Sequence, residues 1–411
     1  MSRRAVLWVA FAIVHIGIAT LGFLLPNAPM GDVSNVYDPW SREVLDGRWV
    51  DDRLVRPWIV GIDEQWVYPQ LALAPMVLAQ SISWIAGYYV AWAIVVTAVD
   101  AVGFAVLVGR ARSTGRVAAA WVWLTFLALL GPIAMYRVDA VTVPLAVMGG
   151  LWLVGRPWLG SALLAVATWI KVWPAALIAA AVVALRRRLA VVGAAVAVSA
   201  LVALAVVTAG GARYLFGFVG DQAGRGLQIE APVSAVYLWL AASGVPDAWV
   251  YYSPEMLTFQ VTGPEVDTVI AVMTPLLVLV ILAIAVLGAV KLWRGASFVA
   301  LFPALSLAIV LAFIVVNKVG SPQYYVWLIA PLVIAIALDR ARWWGITLLA
   351  LGVAILTQVV YPILYRGLMI VPNPAVDAVL VLTVRNLCAL VLFGWAIVKL
   401  ARVRPHPHHH R

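Results

Sequence analysis

The chain has 411 residues, of which 65% are hydrophobic, and its mean hydropathy is +1.02. This composition excludes a soluble globular domain, which needs more polar side chains to cover its surface. The formal net charge of +10 could indicate a nucleic-acid partner, but its distribution along the chain records membrane orientation, so no nucleic-acid partner is expected. The single cysteine, Cys388, excludes an intrachain disulfide and a cysteine metal site.

Hydropathy along the chain predicts about twelve apolar segments that can cross a hydrocarbon core of about 30 Å. They are 5–25, 88–110, 117–134, 138–155, 158–170, 172–186, 189–209, 267–291, 296–316, 322–339, 343–363 and 376–400. The segment 158–170 is short for a crossing, which is typical of a helix surrounded by protein rather than lipid. The sequence therefore predicts an all-α polytopic membrane protein in which residues 1–411 form one integral-membrane domain.

Basic residues cluster in alternate connections between these segments, as the positive-inside rule expects of cytoplasmic loops. The clusters are 3–4, 110–116, 156, 186–188, 291–294, 340–342 and 399–404. Of the 18 acidic residues, only Asp339 lies on this side, and Asp100 lies within a span. We therefore expect a plasma-membrane protein with both termini, including the tail 403–411, in the cytoplasm. Its working surface would then face the extracytoplasmic side.

Two long connections belong to that outer side, namely 26–87 and 211–266. The first contains the apolar stretch 70–86, which could be read as a further crossing. Such a crossing would place the Arg110 cluster outside and invert every later loop. We therefore predict that 70–86 is a re-entrant or interfacial helix of the first outer loop. No small-residue cleavage site follows 5–25, so this segment is predicted to be a retained span.

The first outer loop carries eight acidic residues between Asp32 and Glu64. Asp32 lies a few residues beyond the first span, near the membrane surface. A carboxylate in that position can act as a general base on an alcohol if it reaches the acceptor oxygen. Solvation of the loop is the simpler interpretation for Asp51, Asp52, Asp63 and Glu64, and it remains an alternative for Asp32.

Three charged residues mark breaks between later spans. Arg137 and Asp139 lie at the break where the predicted span 117–134 gives way to 138–155, and a local ion pair closing a helical hairpin is the simpler interpretation there. Lys171 lies in the middle of an apolar run, beside Trp173 and Pro174. A lysine in that position is costly unless it meets an anion or water, or unless it snorkels to the interface. Pro174 suits the first turn of a new helix.

Two further segments concentrate polar residues on the outer side. Arg225, Gln228 and Glu230 lie in the second long loop, next to glycines 224 and 226, which allow close approach to a ligand. The short turn before the span 322–339 contains Lys318, Gln323, Tyr324 and Tyr325. Short turns often act only as connectors. The donors and aromatic rings concentrated here are more typical of a pocket.

The order of these motifs resembles a known family. An acidic first loop is followed by WVYPQ (66–70), YRVD (136–139), IKVWP (170–174), RGLQIE (225–230) and SPQY (321–324). This order, from about Gly31 to Pro331, is similar to that of bacterial GT-C glycosyltransferases of family 87. That group contains the actinobacterial polyprenyl-phosphate-mannose-dependent mannosyltransferases of the phosphatidylinositol-mannoside type. A composition rich in Ala, Val, Trp and Arg also fits an actinobacterial source.

The resemblance implies a GT-C-like helical bundle with its catalytic pocket at the extracytoplasmic side. It implies a polyprenyl-phosphate sugar donor, a glycolipid or glycan acceptor, membrane lipids as partners, and a first-loop aspartate as the base. Asp32 matches that position. Cations are needed where the departing phosphate gains charge, and Lys171, Arg225 and Lys318 can supply them. The remaining candidates, predicted to bind sugar or acceptor, are Tyr37, Tyr68, Arg137, Asp139, Gln228, Glu230, Gln323 and Tyr324.

Several alternatives remain open at this stage. Relatives can carry histidine near the position of Gln323, and glutamine cannot relay a proton, although it can still hydrogen-bond a sugar. A monophosphate donor does not demand a metal clamp, so inverting transfer without metal or other cofactor is expected. The donor sugar could be arabinose instead of mannose. A secondary transporter, expected to show inverted repeats, and a non-catalytic lipid-binding subunit are the alternatives outside this enzyme class.

Two ionisable residues, Asp100 and Arg385, are placed well inside predicted spans. Either one is expensive in hydrocarbon, and such residues usually pair or line a cavity. We predict that the two form a buried structural ion pair between the spans 88–110 and 376–400. The competing interpretation assigns Arg385 to the donor phosphate. Both residues are also the best support for the transporter alternative.

Overall fold

The structure, a computed structural model, describes residues 2–223, 225–256 and 258–404, without the side chains of 221–223. Gly224 and the part of the predicted tail 403–411 that begins at residue 405 lie outside the described residues. Helices make up 72% of the structure, and strands are almost absent. The protein is therefore an all-α membrane protein, as its hydropathy predicts.

Sixteen α-helices follow one another in the described residues. They are α1 (Arg3–Leu24), α2 (Asp38–Asp46), α3 (Leu73–Ile82), α4 (Tyr88–Val108), α5 (Thr114–Leu130), α6 (Asp139–Trp152), α7 (Pro157–Ile170), α8 (Ala175–Ala184), α9 (Arg188–Thr208), α10 (Gly217–Ala223), α11 (Ser234–Ala242), α12 (Val266–Trp293), α13 (Phe298–Val315), α14 (Ile329–Gln358), α15 (Tyr365–Leu368) and α16 (Val376–Ala401). Four short strands form two antiparallel hairpins. They are β1 (Arg48–Val50), β2 (Arg53–Val55), β3 (Trp249–Ser253) and β4 (Thr258–Thr262).

Within the described residues, eight helical units are long and apolar enough to cross a membrane. Seven of them each overlap one predicted span. The eighth, Pro322–Leu368, covers two predicted spans, and its backbone leaves helical geometry at Asp339. The other three predicted spans correspond to the shorter helices α6, α7 and α8, and the stretch 70–86 contains the short apolar helix Gln70–Ile82. The crossing count of twelve and the re-entrant placement of 70–86 remain predictions.

Helix α13 forms the centre of the bundle. It packs against α8, α12, α14 and α16, and nearly all of its side chains are buried. Helix α14 packs against α5, α6 and α16, so these neighbours surround α13 and α14 together. A helix that is apolar on every face is stable when protein covers it on all sides, which is the position of α13.

The peripheral helices show the opposite pattern. Only 11% of the most apolar window of α9 is buried, and the same fraction holds for α12. Leu189, Val196 and Leu201 of α9 are largely exposed. Large contiguous apolar surfaces are rare on soluble monomers, and a lipid environment accounts for them. These two helices therefore face lipid.

The predicted break at Lys171 is confirmed. Helix α7 ends at Ile170, Lys171 adopts an extended backbone, and α8 begins at Ala175 after Pro174. Proline at this position costs little, because its missing N–H has no intrahelical acceptor in the first turn. The break interrupts an apolar run and places Lys171, whose side chain is 17% exposed, between the end of α7 and the start of α8.

The second outer loop forms a small sheet-like platform. In the β3–β4 hairpin, Tyr251 pairs with Gln260. The segment 227–229 lies beside β4, where Val261 N–H donates to the carbonyl of Leu227 and Ile229 N–H donates to the carbonyl of Phe259. A Cβ on Gly320 would lie about 2.3 Å from the backbone of Ala231, so only glycine allows this close approach of the turn before α14.

Candidate active site

Asp32 and Arg137 form an ion pair between the first outer loop and the start of α6. Arg137 Nε lies 3.1 Å from Asp32 Oδ2. The same guanidinium donates through Nη1 to the carbonyl of Pro29 and through Nη2 to the hydroxyl of Tyr361. The Arg137 side chain is only 6% exposed, whereas the Asp32 side chain is 35% exposed. Arg137 therefore anchors the loop, and the carboxylate of Asp32 remains accessible.

A π-helical turn, Val33–Tyr37, carries the chain from Asp32 into α2. It buries Tyr37, whose ring packs on Trp92 with ring centroids 4.9 Å apart. Val138 N–H donates to the Tyr37 hydroxyl at 3.1 Å. This contact fixes the turn against the backbone between Arg137 and Asp139, so the position of Asp32 is held from two directions.

Asp139 and Lys171 form a second, more buried pair. Lys171 Nζ lies 3.7 Å from Asp139 Oδ2, and the Asp139 side chain is 1% exposed. Trp327 Nε1 donates to Asp139 Oδ1 at 2.7 Å. Asp139 Oδ2 has no hydrogen-bond partner among the described residues. Its buried negative charge is compensated by the Lys171 ammonium. Asp139 therefore positions Lys171 and Trp327 and is itself shielded from a ligand.

Aromatic side chains surround the Lys171 ammonium. Nζ lies 4.4 Å from the centroid of the Tyr68 ring, which is a cation–π contact. Tyr324 stacks on Trp327 at 4.2 Å and interacts electrostatically with Lys171. Lys171 also interacts electrostatically with Asp32. The predicted residues Asp32, Tyr37, Tyr68, Arg137, Asp139, Lys171 and Tyr324 thus form one cluster, called here the Asp32–Lys171 cluster.

The two tyrosines that the first loop contributes to this cluster remain protonated at neutral pH. Burial raises the pKa of Tyr68, and the nearby Lys171 ammonium partly opposes that shift. Burial also raises the pKa of Tyr37 well above its usual value, with Tyr68 and Asp32 adding to the effect. Both hydroxyls can therefore donate hydrogen bonds.

Arg225 borders the cluster through Tyr324, with which it interacts electrostatically. The Arg225 side chain is partly buried, and its Nε has no hydrogen-bond partner among the described residues. A buried guanidinium N–H is costly when it is unpaired. Arg225 thus offers an unused donor beside the Asp32–Lys171 cluster, whereas neighbouring Gly224 lies outside the described residues.

The predicted pair between Asp100 and Arg385 is wrong. Arg385 Nη1 instead lies 2.7 Å from Glu230 Oε2, and both side chains are 1% exposed. Arg385 also donates to the carbonyl of Glu230 and to Asn386 Oδ1, and its guanidinium lies over the ring of Tyr325. Hydropathy gives the depth of a residue along its helix, but it does not identify the neighbouring helix.

Asp100 has a different partner. Its Oδ2 lies 3.0 Å from His15 Nε2, and the other imidazole nitrogen contacts the carbonyl of Phe11 at 2.9 Å. The Phe11 ring stacks on the imidazole at 3.9 Å. This buried pair joins α1 to α4, and sequence reasoning missed it because His15 is a single polar residue within an apolar helix.

The other predicted residues lie outside the Asp32–Lys171 cluster. Gln228 is buried, its N–H donates to the carbonyl of Lys318, and its side chain reaches Thr258. Burial lowers the pKa of Lys318. Gln323 accepts a hydrogen bond from Ser321 in the same turn. Glu230 Oε2 is engaged with Arg385, and the side chain is only 1% exposed, so burial shields its carboxylate from a sugar.

Two residues that sequence reasoning did not select complete the site. Tyr361 donates to the carbonyl of Ala28 and accepts from Arg137. It also interacts electrostatically with both Asp32 and Glu230. Trp327 stacks on Trp173 and on Tyr324. Trp327 could have been selected from the sequence because it lies close to the SPQY motif, whereas nothing in the sequence indicated Tyr361.

Comparison of the chain with family models, with curated proteins and with solved structures gives no match. Within the described part of the chain, no group of three or more His, Cys, Asp or Glu side chains is arranged to hold a metal ion. The geometry alone therefore defines the class of site: an accessible carboxylate, held by an arginine, beside a lysine enclosed by tyrosine and tryptophan rings.

Proposed function

We propose that the protein is a membrane glycosyltransferase that uses a polyprenyl-phosphate sugar, with mannose as the first choice of sugar. The acceptor would be a lipid-linked or cell-envelope glycan on the extracytoplasmic face. One observation carries the proposal. The only carboxylate of the Asp32–Lys171 cluster that is substantially exposed, Asp32, lies beside the cations that an anionic leaving group needs.

In this reaction Asp32 takes the proton of an acceptor hydroxyl. The acceptor oxygen forms a bond to the anomeric carbon, and the bond from that carbon to the phosphate oxygen breaks on the opposite face. The polyprenyl phosphate leaves with the electron pair, which gives inversion. Asp139 is a poor candidate for the base because its side chain is 1% exposed and already contacts Lys171 and Trp327.

The leaving phosphate gains negative charge as the bond breaks, so cations that face it stabilise the transition state more than the ground state. Lys171 is partly exposed and is held by Asp139 and Tyr68. Arg225 brings a guanidinium with an unpaired Nε to the same side through Tyr324. Tyr68 and Tyr324 offer flat faces of the kind that pack on sugar rings, together with hydroxyl donors.

The transporter alternative rested on Asp100 and Arg385. Each now has a buried partner that accounts for its presence in the bundle, His15 and Glu230 respectively. Neither residue requires a transported ion to compensate it. Polyprenyl-phosphate arabinose has the same phosphate as polyprenyl-phosphate mannose and reacts at the same type of anomeric centre. An assay with both donors therefore distinguishes the two sugars.

The test uses purified full-length protein with radiolabelled polyprenyl-phosphate mannose or arabinose and a lipid extract as acceptor pool. We expect labelled glycolipid from one donor, with release of polyprenyl phosphate, and a rate about 10²–10⁴-fold lower from Asp32→Asn. Mass spectrometry of copurified lipids should identify donor or acceptor. Absence of transfer from both donors, with a folded protein and an extract that supports transfer by the native membrane, would refute the proposal.

A further inference from the structure

A cavity of about 1170 Å³ lies at the other end of the bundle from the Asp32–Lys171 cluster. Its walls come from the end of α12, the start of α13, the bend of α14 and the end of α16. Helix α13 separates the two ends, since it begins at Phe298, directly after the lining residue Ser297, and leads to the turn that contains Lys318. Its 18 residues span about 27 Å. The cavity is therefore separate from the proposed catalytic site.

The polar lining of this cavity is strongly basic. Its charged side chains are Lys291, Arg342, Lys399, Arg402, Arg404 and a single carboxylate, Asp339. Arg342 lies 3.5 Å from Asp339, and its side chain is 77% exposed. One acidic group cannot neutralise five cations, so the mouth of the cavity carries a net formal charge of +4. Such a mouth attracts an anion.

The two lysines are held in position by backbone carbonyls of neighbouring helices. Lys291 Nζ donates to the carbonyl of Ala401, and Lys399 Nζ donates to the carbonyl of Arg342. Lys399 also lies over the Trp343 ring, 4.6 Å from its centroid. These contacts join α12, α14 and α16 around the cavity. The two lysines are therefore part of the helix packing, whereas the arginines of the mouth are exposed side chains that face outward beside them.

The remaining lining is mostly apolar. Trp343 and Ala304 are buried, whereas Val299, Trp395 and Val398 are 39–42% exposed beside the charged groups. The cavity is thus lined by cations and by apolar side chains, and its volume exceeds that of an ordinary small-molecule site. The shape and charge match a phospholipid, with phosphate at the mouth and the upper acyl chain against the tryptophans. A free phosphate would use only the mouth.

We propose that this cavity binds the headgroup of an anionic phospholipid on the basic face of the bundle, the face predicted to be cytoplasmic. Basic pockets between transmembrane helices on that side are suited to anionic headgroups, because the cations face a negatively charged leaflet. The lipid would bridge α12, α14 and α16. This inference does not depend on the proposed glycosyltransferase activity.

The test is native mass spectrometry of the full-length protein in detergent, titrated with dioleoyl phosphatidylglycerol or dioleoyl phosphatidylcholine. We expect one phosphatidylglycerol to be retained at concentrations where phosphatidylcholine is not. In Arg342→Gln with Arg402→Gln, affinity for phosphatidylglycerol should fall on the order of 10–30-fold, because each basic residue near an anionic surface contributes about a fivefold factor. Arg402→Gln with Arg404→Gln leaves the Asp339–Arg342 pair intact and should show a comparable loss.

The matched control is Arg110→Gln with Arg112→Gln. It removes two exposed arginines from the same predicted membrane face, but neither lines the cavity. Its charge loss equals that of the test variants, but it should bind phosphatidylglycerol within about twofold of the unmodified protein because the cavity keeps all five cations. Equal binding of both lipids, or an equal loss in the control, would overturn the assignment. Displacement of the lipid by equimolar glycerol 3-phosphate would also overturn it, because the apolar wall would then contribute nothing.

Discussion

Arg137 Nε lies 3.1 Å from Asp32 Oδ2, and this pair combines a buried arginine with an accessible carboxylate. Arg137 is fixed by Pro29, Tyr136 and Tyr361. Asp32 therefore receives a fixed position from the bundle without losing its contact with solvent. A general base needs both properties, because it must reach a hydroxyl of the acceptor in a defined geometry.

Asp32→Asn should lower turnover by about 10²–10⁴-fold with little loss of stability. Asparagine keeps the size and most hydrogen bonding of aspartate but cannot accept the proton. The measurement is the rate of labelled glycolipid formation by purified protein. The matched control is Asp38→Asn, since Asp38 lies in the same loop and pairs locally with Arg42. Near-normal turnover of Asp32→Asn, or an equal loss in Asp38→Asn, would exclude Asp32 as the base.

Asp139→Ala should behave differently from Asp32→Asn. Its carboxylate is buried against Lys171 and Trp327, so removing it leaves a poorly compensated cation and an unpaired indole N–H. Breaking a buried pair typically costs about 3–5 kcal/mol of unfolding free energy. Denaturation of the purified protein in mixed micelles checks this value. A stability equal to that of the unmodified protein would show that Asp139 does not hold Lys171.

The Glu230–Arg385 pair should show strong coupling in a double-mutant cycle, whereas Asp100 and Arg385 should act independently. Arg385→Met and Glu230→Leu should each cost about 3–5 kcal/mol, because each leaves a buried charge alone. The double variant should recover much of that loss. By contrast, the effects of Asp100→Ala and Arg385→Met should add to within about 0.5 kcal/mol. Coupling between Asp100 and Arg385 would contradict the pairing in the structure.

Much of the helix pattern was predictable, because long apolar runs and their interruptions have local causes. The break at Lys171 is an example: a lysine followed by Pro174 within an apolar run ended one helix and began another. Asp339 similarly marks the point where α14 leaves helical geometry, at the end of the predicted span 322–339. Both signals depend on residues that are adjacent in sequence.

Contacts between distant segments were less predictable. The sequence placed Asp32 and Lys171 on one side of the protein, and the structure brings both into one cluster. It did not identify the partners of Asp100 and Arg385, because those depend on helix rotation and on which helices are neighbours. His15, Glu230 and Tyr361 could be assigned only once α1, α16 and the outer loops had been placed in three dimensions.

The topology is tested by thiol labelling of intact cells. In a Cys388→Ala background, single cysteines at Asp46, Thr114 and Asp247 report on the first outer loop, a basic connection and the second outer loop. All three positions are exposed in the structure, so burial does not block the reagent. The positive-inside rule predicts that a membrane-impermeant maleimide labels Asp46→Cys and Asp247→Cys from outside. Thr114→Cys should react only after the cells are permeabilised. Labelling of Thr114→Cys from outside would overturn both the orientation and the assignment of 70–86 to the outer loop, because a crossing at 70–86 reverses every later connection.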